Sequence, residues 1–531
     1  MNEIDVPVVR MRRPRWGNPQ TPGALPGIAA TALEQLGARS SAAVDPGDVS
    51  LPDSALPAAA REAIVSVVGA KYVAAEHDAR VQHTRGYSTP DILKLRAGDG
   101  TDAPDVVASP GDHDEVVGLL RVCSEHRIAV VPFGGGTSVV GGLTPVRDGF
   151  AGVIALDLHR LDQLVHLDEV SRTATLQSGM RGPQAEELLH AKGFTLGHFP
   201  QSYEGATIGG YAAARSAGQS SAGYGRFDEM VVGLVLATPR GTVELGTAPM
   251  SAAGPDLRQL VLGSEGAFGV ITSVTVQVRP VPRHRVFEGW RFESFGAGAE
   301  ALRALAQDGP LPTVLRLSDE AETAVNLADP SGKLGGSTGG CLVVTGYEGA
   351  PGEVEARRAA ATEVLAAAGG TALGTEVGEA WREGRFRGPY LRDPMLDAGG
   401  LVETLETATF WSNLANLKTA VTQSITEALA GQGTPPLVLC HISHVYAAGA
   451  SLYFTVICAQ SGDPLEQWAQ AKHAANEAIR SSGATITHHH GVGTDHREAY
   501  HAEIGPLAVR AVRAVKDSLD PKGVLNPGVL I

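Results

Sequence analysis

The chain has 531 residues, of which 43% are apolar and 19% are charged, and its formal net charge is −15. This length predicts two or three folded units, and the composition is that of an ordinary globular protein. The acidic balance argues against a nucleic-acid-binding protein, which would need a basic face. No apolar run reaches the roughly 20 residues that a membrane-spanning helix requires, so we expect no such helix.

The cysteines are scattered along the chain without CxxC spacing; they are Cys123, Cys341, Cys440 and Cys458. This pattern predicts reduced, buried thiols rather than a disulfide framework or a zinc site. Arg outnumbers Lys, a bias typical of GC-rich bacterial genomes, and the N-terminus lacks the apolar stretch of a secretory signal. We therefore expect a bacterial protein of the cytoplasm.

Residues 1–100 predict an N-terminal arm followed by helices, the first of them near residues 29–36. The arm contains a short basic-aromatic segment, which consists of Arg10, Arg12, Arg13, Arg15 and Trp16. We favour a solvated arm for this segment. The alternative is a peripheral contact with a membrane or with a partner.

From residue 101 to 282, short β-rich runs such as IAVVPF and GVITSVTV alternate with helical stretches such as DHDEVVGLLRVCSEH. In that helix Asp112 or Asp114 is placed to cap the first turn. Residues 283–484 repeat the alternation with longer, Ala-rich helices. Residues 485–531 hold the run HHHGVG, a helical stretch near Gly505 and the final LNPG. Interleaved strands and helices predict an α+β fold with two domains and a C-terminal helical tail.

A glycine-rich loop, Pro132-Phe-Gly-Gly-Gly-Thr-Ser138, directly follows the apolar strand IAVV. Three glycines can reach positive φ and let phosphate oxygens approach the backbone N–H groups. The loop is neither a Rossmann nor a Walker A motif, because its glycine spacing differs and no Lys follows. By itself it fits a structural turn as well as a pyrophosphate site. Two further small-residue loops at 200–218 and 263–271 could line the same extended dinucleotide.

The motifs PFGGGTSVVGG, ATIGG, GSEGAFGVIT and LNPG occur in this order and resemble the vanillyl-alcohol-oxidase type of FAD flavoproteins. The resemblance implies a two-lobed FAD-binding domain of PCMH type at 101–282. It also implies an α+β cap domain at 283–484 and a tail at 485–531 that closes the active site.

The same resemblance implies a set of residues that bind FAD. They are Pro132, Phe133, Gly134, Gly135, Gly136, Thr137, Ser138, Gln201, Ser202, Ala206, Thr207, Gly210, Ala214, Arg215, Ser216, Ala217, Glu265, Gly266, Gly269, Val270 and Ile271. Members with a histidyl-linked flavin often carry His in the glycine loop, where this chain has Thr137 and Ser138. We therefore predict a non-covalent, dissociable FAD.

Two passages, HISHVYAAGASLYF at 441–454 and HHHGVG at 488–493, look like the alkyl-dihydroxyacetonephosphate synthase family. Related hydroxy-acid dehydrogenases have a stretch like GHxGDGNxH at the first passage, and Tyr453 stands at its second His position. The resemblance implies a flavoenzyme that exchanges the acyl group of an acyl-dihydroxyacetone phosphate for a long-chain alcohol, in ether lipid synthesis. It further implies a lipid-like substrate and a homodimer. The alternative is an FAD-linked oxidase or dehydrogenase of a 2-hydroxy acid or another alcohol.

By this resemblance Tyr453 is the general acid/base at C1 of the dihydroxyacetone unit, and Arg392 contacts the phosphate or the departing carboxylate. Arg316 would support the site near the flavin, and the histidines at 488–490 would complete it: His488, His489 and His490. Because a free tyrosine has a pKa near ~10, a phenolate base at neutral pH needs nearby cations.

Simpler interpretations stay open for the same residues. Tyr453 lies in an apolar strand and could be a core residue with a satisfied hydroxyl, and Arg392 could cap a helix or pair with Asp393. On an extended segment His489 would point away from its two neighbours, so the three histidines could not meet one ligand. Three adjacent histidines could also bind a metal, but only Asp495 and His496 lie nearby, and we predict no metal site.

Overall fold

A computed structural model describes residues 11–17, 23–25, 27–324 and 339–531. Arg10 of the basic-aromatic segment lies outside the described residues. The strands are β1 (Val73–Ala74), β2 (Val106–Ala108), β3 (Ile128–Phe133), β4 (Gly152–Asp157), β5 (Leu164–Asp168), β6 (Thr173–Gln177), β7 (Phe194–Thr195), β8 (Val231–Thr238), β9 (Gly241–Leu245), β10 (Val270–Gln277), β11 (Arg279–Pro280), β12 (His284–Phe292), β13 (Val314–Ser318), β14 (Cys341–Gly349), β15 (Thr371–Gly374), β16 (Gly400–Phe410), β17 (Leu437–Ile442) and β18 (Gly449–Ala459).

The helices are α1 (Gly27–Gln35), α2 (Ala58–Val68), α3 (His77–Gln82), α4 (Thr89–Arg96), α5 (His113–His126), α6 (Gly182–His190), α7 (Ile208–Ala214), α8 (Ser221–Tyr224), α9 (Phe227–Met230), α10 (Arg258–Val261), α11 (Phe295–Asp308), α12 (Glu320–Ala324), α13 (Pro351–Ala367), α14 (Thr375–Gly384), α15 (Gly388–Asp397), α16 (Leu414–Ala430), α17 (Pro464–Ser481) and α18 (Arg497–Leu519). The mixed helix and sheet content confirms the α+β fold class.

The first lobe of the predicted FAD-binding domain is a four-stranded sheet in the order β1-β2-β4-β3, in which β2, β4 and β3 run parallel. Helix α5, which follows β2, is the helix that the stretch DHDEVVGLLRVCSEH predicted. Asp112 caps it by accepting a hydrogen bond from the Glu115 N–H at 2.8 Å. Helix α2 and strand β1 pack into the same apolar core. Strand β1, which lies before residue 101, therefore pairs with a strand of this lobe, and the boundary at residue 101 stays a prediction.

The second lobe is an antiparallel sheet in the order β5-β6-β10-β8-β9, and helices α6 and α7 cover its apolar face. The cap is a larger antiparallel sheet in the order β15-β12-β14-β13-β17-β18-β16. Helices α11, α13, α16 and α17 contribute to its main core. The cap sheet is where two of the predicted site residues, Arg316 and Tyr453, are located.

The C-terminal tail returns to the FAD-binding domain. Helix α18 is kinked at Gly505, whose φ is 77°, just before Pro506. Beyond the helix, the Asn526 N–H donates to the Val130 carbonyl of β3 at 2.8 Å, and the Asn526 side chain donates to the Glu265 carbonyl at 2.7 Å. The LNPG motif thus contacts both β3, which leads into the glycine loop, and the third small-residue loop. Asn526 lies 261 residues beyond Glu265 in the sequence.

Candidate active site

The glycine loop presents a row of backbone donors. Gly135, Gly136, Thr137 and Ser138 donate no N–H hydrogen bond to a protein acceptor within the described part of the chain. Gly136 has a φ of 68°, which glycine adopts without strain. Successive N–H groups of this kind form a concave site for an anion. The loop therefore fits the pyrophosphate of a dinucleotide.

The other two small-residue loops close on the glycine loop. A Cβ at Gly135 would collide with the Gly205 carbonyl oxygen, and a Cβ at Gly266 would lie 2.8 Å from Cγ of Pro132. Glycine is needed at these positions because any side chain would hold the loops apart. The three loops thus lie in direct contact, and their binding of one dinucleotide stays a prediction.

Several side chains that we predict to bind FAD also form hydrogen bonds within the protein. Thr207 accepts the Gly210 N–H at 3.2 Å and so caps α7. The Arg215 guanidinium donates to the Leu262 carbonyl at 2.9 Å, and the Ser216 hydroxyl lies 3.0 Å from Nε2 of His198. Their contacts with FAD stay predictions.

Glu265 links the third loop to the tail. Its carboxylate accepts the Val492 N–H at 2.8 Å and the Gly493 N–H at 3.0 Å, directly after the histidine run. Burial raises the pKa of Glu265 to about 7, although these backbone hydrogen bonds act in the opposite direction. Val270 and Ile271 pack into the cores of the two lobes, so only their backbone is available to a ligand.

Tyr453 lies in the middle of a polar row on the cap sheet. The strand register pairs it with Glu406 of β16 on one side and with His441 of β17 on the other. Paired residues of antiparallel strands place their side chains on the same face of the sheet. The His441 ring stacks on the Tyr453 ring at a centroid distance of 4.8 Å, and the His490 ring lies edge-on at 5.6 Å. Tyr453 and the histidine run therefore belong to one site.

Glu406 holds the histidine run in place. Its buried carboxylate accepts the backbone N–H of His488 at 2.6 Å, that of His489 at 3.1 Å and that of His490 at 2.9 Å. The Thr487 hydroxyl donates to the same carboxylate at 2.6 Å. Four donors around one carboxylate curl the backbone, because consecutive N–H groups must point to the same side.

The curled backbone makes our expectation of alternating side chains wrong. The Nδ1 atoms of His488 and His489 are 3.0 Å apart, and both side chains lie within 4.8 Å of His444. All three imidazoles already have protein partners. His444 Nδ1 lies 2.6 Å from the Ser221 hydroxyl, and His488 Nε2 lies 2.6 Å from the Tyr446 hydroxyl. His489 Nδ1 lies 3.5 Å from the Glu406 carboxylate. The lack of a metal here stays a prediction.

Burial keeps the histidines neutral and Glu406 stays charged. Burial lowers the pKa of His490 to about 3 and also lowers the pKa of His488 and that of His489. For Glu406 burial acts the other way, but the surrounding histidines and Thr487 outweigh it and hold its pKa well below 4.5. The site therefore contains neutral imidazoles beside a buried carboxylate.

The described residues around Tyr453 do not favour the phenolate form. Burial raises the pKa of Tyr453 to about 12, and the carboxylates of Glu403 and Glu406 add to this effect. Arg316 opposes it only in part, and the nearby imidazoles carry no positive charge. Tyr453 is therefore a neutral phenol that can donate a proton or a hydrogen bond.

Arg316 anchors the neighbouring part of the row. Its guanidinium donates to Glu322 at 2.9 Å, and His441 Nδ1 lies 3.1 Å from the same carboxylate oxygen. Burial opposes ionisation of Glu322, but His441 and Arg316 lower its pKa to about 2. Arg316 thus acts on Tyr453 through charge and through His441.

Arg392 lies in helix α15 and points at the domain junction. One of its nitrogens donates to the Tyr87 carbonyl, while its Nε and Nη2 are buried without a partner in the described residues. The charge of Arg392 acts on Glu403, which in turn acts on Tyr453. Asp393 accepts the Trp16 N–H at 2.6 Å and forms no hydrogen-bonded ion pair with Arg392 in the described residues, although the charge of Arg392 acts on its carboxyl group. Two buried donors are thus available for an anionic ligand.

The N-terminal segment from Arg13 to Gly17 is not a solvated arm. Arg13 is 2% exposed and Trp16 is 7% exposed. Arg15 forms an ion pair with Asp397 of α15 at 2.9 Å, and the Trp16 ring meets the Tyr87 ring edge-on at 5.2 Å. The solvated-arm expectation is wrong because these side chains fill the junction between the FAD-binding domain and the cap.

Sequence reasoning missed Glu406, His441 and Glu322, which together orient Tyr453 and the histidine run. For Glu406 and His441 the sequence indication is the period of two along β16 and β17, which becomes informative once the pairing of the strands is known. Glu322 lies in helix α12, where that period does not apply. It also missed His198, a buried histidine whose Nδ1 has no partner in the described residues. Glu406 is the most consequential of these.

Comparisons with known proteins agree with this geometry. A family model described as an FAD binding domain matches residues 104–246, and one described as the C-terminal domain of FAD linked oxidases matches residues 281–530. The alkyldihydroxyacetonephosphate synthase of Trypanosoma brucei brucei is 34% identical over 476 residues, which are 85% of this chain and 77% of the relative. The chain belongs to the alkyldihydroxyacetonephosphate synthase family.

Two further members support this assignment. The alkyldihydroxyacetonephosphate synthase of Dictyostelium discoideum is 32% identical over 473 residues, which are 85% of this chain and 77% of the relative. A solved structure of an alkyldihydroxyacetonephosphate synthase has a TM-score of 0.82 at 25% identity and covers 98% of each chain. The protein is an FAD-dependent enzyme of this family. Within the described residues, every helix is too short or too polar to cross a membrane.

Proposed function

We propose that this enzyme replaces the acyl chain of an acyl-dihydroxyacetone phosphate with a long-chain alcohol. The C1–O bond of the acyl ester breaks, a bond from C1 to the alcohol oxygen forms, and the fatty acid leaves with both ester oxygens. No net oxidation or reduction occurs. The observation that carries this proposal is the position of the Tyr453 ring, 5.6 Å from the His490 ring, beside a histidine run whose backbone is bound by the Glu406 carboxylate.

The neutral imidazoles suit the proton steps. His489 and His490 can accept a proton from C1, because burial leaves both unprotonated at neutral pH. The resulting imidazolium is compensated by Glu406, whose carboxylate is already ionised. Tyr453 then donates a hydrogen bond or a proton to the oxygen at C1.

Arg392 supplies anion recognition. Its two unpartnered nitrogens match the forked geometry with which arginine binds a phosphate or a carboxylate. The substrate carries a phosphate, and the reaction releases a carboxylate. When bound, FAD supplies the electron-rich ring system on which exchange at C1 depends, and the glycine loop holds its pyrophosphate.

An anaerobic assay tests the reaction. The FAD-loaded protein is incubated with palmitoyl-dihydroxyacetone phosphate and hexadecanol labelled with oxygen-18, without an electron acceptor. We expect free palmitate in equal amount to an ether product that retains the label. Unlabelled ether oxygen, or turnover only of a 2-hydroxy acid with oxygen or a dye acceptor, would contradict the proposal.

The cellular setting forms a further part of this proposal. A bacterial cytoplasmic homodimer that acts on a lipid-like substrate agrees with the composition and with the resemblance described above. Sedimentation of the purified protein, with a mass of 55.0 kDa per chain, tests the dimer directly.

A further inference from the structure

The N-terminal segment places a buried cation directly behind the glycine loop. Arg13 donates through Nη2 to the Gly136 carbonyl at 2.8 Å and to the Arg85 carbonyl at 2.7 Å. Its guanidinium also packs over the Tyr87 ring, 4.7 Å from the centroid. Gly136 is one of the loop residues whose N–H groups have no acceptor among the described residues.

The charge of Arg13 has no ion-pair partner among the residues that the structure describes. In the part of the chain that the structure describes, its hydrogen bonds go to neutral carbonyl oxygens, and its Nε is buried without any partner. The carboxyl group of Asp91 acts on the charge of Arg13, but burial of Asp91 disfavours its own charged form. A buried cation is costly unless an anion compensates it.

The hydrogen bond to Gly136 also sets the direction of the next donor. The C=O and N–H of one trans peptide unit point in opposite directions. Because the Gly136 carbonyl points at Arg13, the Thr137 N–H of the same unit points away from it. Thr137 donates this N–H to no protein acceptor in the described residues. Arg13 therefore orients and polarises a donor of the concave anion site.

We propose that Arg13 is a positioning residue for FAD, whose pyrophosphate compensates its charge through the glycine loop. Arg13 is then part of the cofactor site, and a flavin without phosphates does not use it. Arg13 acts through the Gly136–Thr137 peptide and through its electric field.

Reconstitution of flavin-free protein tests this proposal. FAD affinity and riboflavin affinity are measured by flavin fluorescence for the native protein, for Arg13→Gln and for Arg13→Lys. We expect Arg13→Gln to weaken FAD binding at least about tenfold while riboflavin binding changes less than about twofold. Arg13→Lys keeps the charge and should stay within about threefold for FAD.

Arg15→Gln is the matched control, because Arg15 lies on the same segment but pairs with Asp397 of the cap. It should leave both flavin affinities unchanged. Native FAD affinity in Arg13→Gln, or an equal loss of FAD and riboflavin, would overturn the proposal. If Arg13→Gln does not fold, a tenfold or greater loss of FAD in Arg13→Lys overturns it by itself, since that variant retains the charge. None of these measurements depends on the reaction proposed above.

Discussion

The Oε1 atom of Glu406 lies 2.9 Å from the backbone nitrogen of His490, so a strand of the cap fixes a loop of the C-terminal tail. This contact joins residues 84 positions apart. It makes the position of the histidines depend on the ionisation of one buried carboxylate.

Glu406→Gln tests this dependence. The amide can accept fewer of the four hydrogen bonds and carries no charge to compensate an imidazolium, so we expect kcat to fall roughly 100-fold. KM and FAD content should change little, because Arg392 and the glycine loop are untouched. Glu477→Gln, on the exposed face of α17, is the control and should be neutral. An unchanged kcat would show that the loop keeps its place without Glu406.

Tyr453→Phe should lower kcat by about 100- to 10,000-fold while FAD stays bound, because only the proton donor is removed. Tyr347→Phe is the control, since Tyr347 lies in the same cap sheet, is more deeply buried than the half-buried Tyr453, and has a hydroxyl without a partner in the described residues. Steady-state rates and the flavin absorbance of each variant are measured together. Loss of flavin from Tyr453→Phe would instead make this residue structural.

The stability of the protein should depend on His490 between pH 6.5 and 3. The unfolded histidine, with a pKa of 6.5, takes up a proton in this range, whereas burial lowers the folded pKa to about 3. His490 therefore contributes fully above pH 6.5, and the contribution is lost as the pH falls toward 3. We measure the free energy of unfolding by urea at pH 7.5 and at pH 5.5. Between these values it should fall by about 1 kcal/mol more in the native protein than in His490→Gln. Equal losses in both proteins would mean that His490 is protonated when folded.

Gly135→Ala should abolish FAD retention, because the new Cβ would collide with the Gly205 carbonyl and separate the glycine loop from the loop at 200–218. Gly352→Ala is the control, as a Cβ there meets nothing within 4 Å. The ratio of flavin absorbance to protein absorbance after gel filtration measures the effect. Full flavin occupancy in Gly135→Ala would place the cofactor elsewhere.

Acid precipitation should release all of the FAD into the supernatant. Thr137 and Ser138 occupy the part of the glycine loop where histidyl-linked relatives often carry His, and a hydroxyl does not form that bond. The yellow colour of the pellet and of the supernatant is compared after centrifugation. Flavin retained in a washed, denatured pellet would demonstrate a covalent link.

The sequence by itself determined the cofactor and the order of the parts. The glycine loop, GSEGAFG and LNPG depend on local backbone properties, namely missing side chains and free N–H groups, and these can be recognised from residue type alone. The same holds for strands such as β3 and for helix α5 with its Asp112 cap, which follow local periodicity and capping.

Only the tertiary structure decided the charge states and the partners. Whether Tyr453 is a phenol or a phenolate depends on burial and on Glu403, Glu406 and Arg316, which strand register and chain crossings bring together. The direction of the three histidines depends on Glu406, since its hydrogen bonds override the alternation of an extended chain. The burial of Arg13 depends on a contact with Gly136, 123 residues away. Such long-range contacts leave no local pattern, because each residue type fits a solvated position equally well.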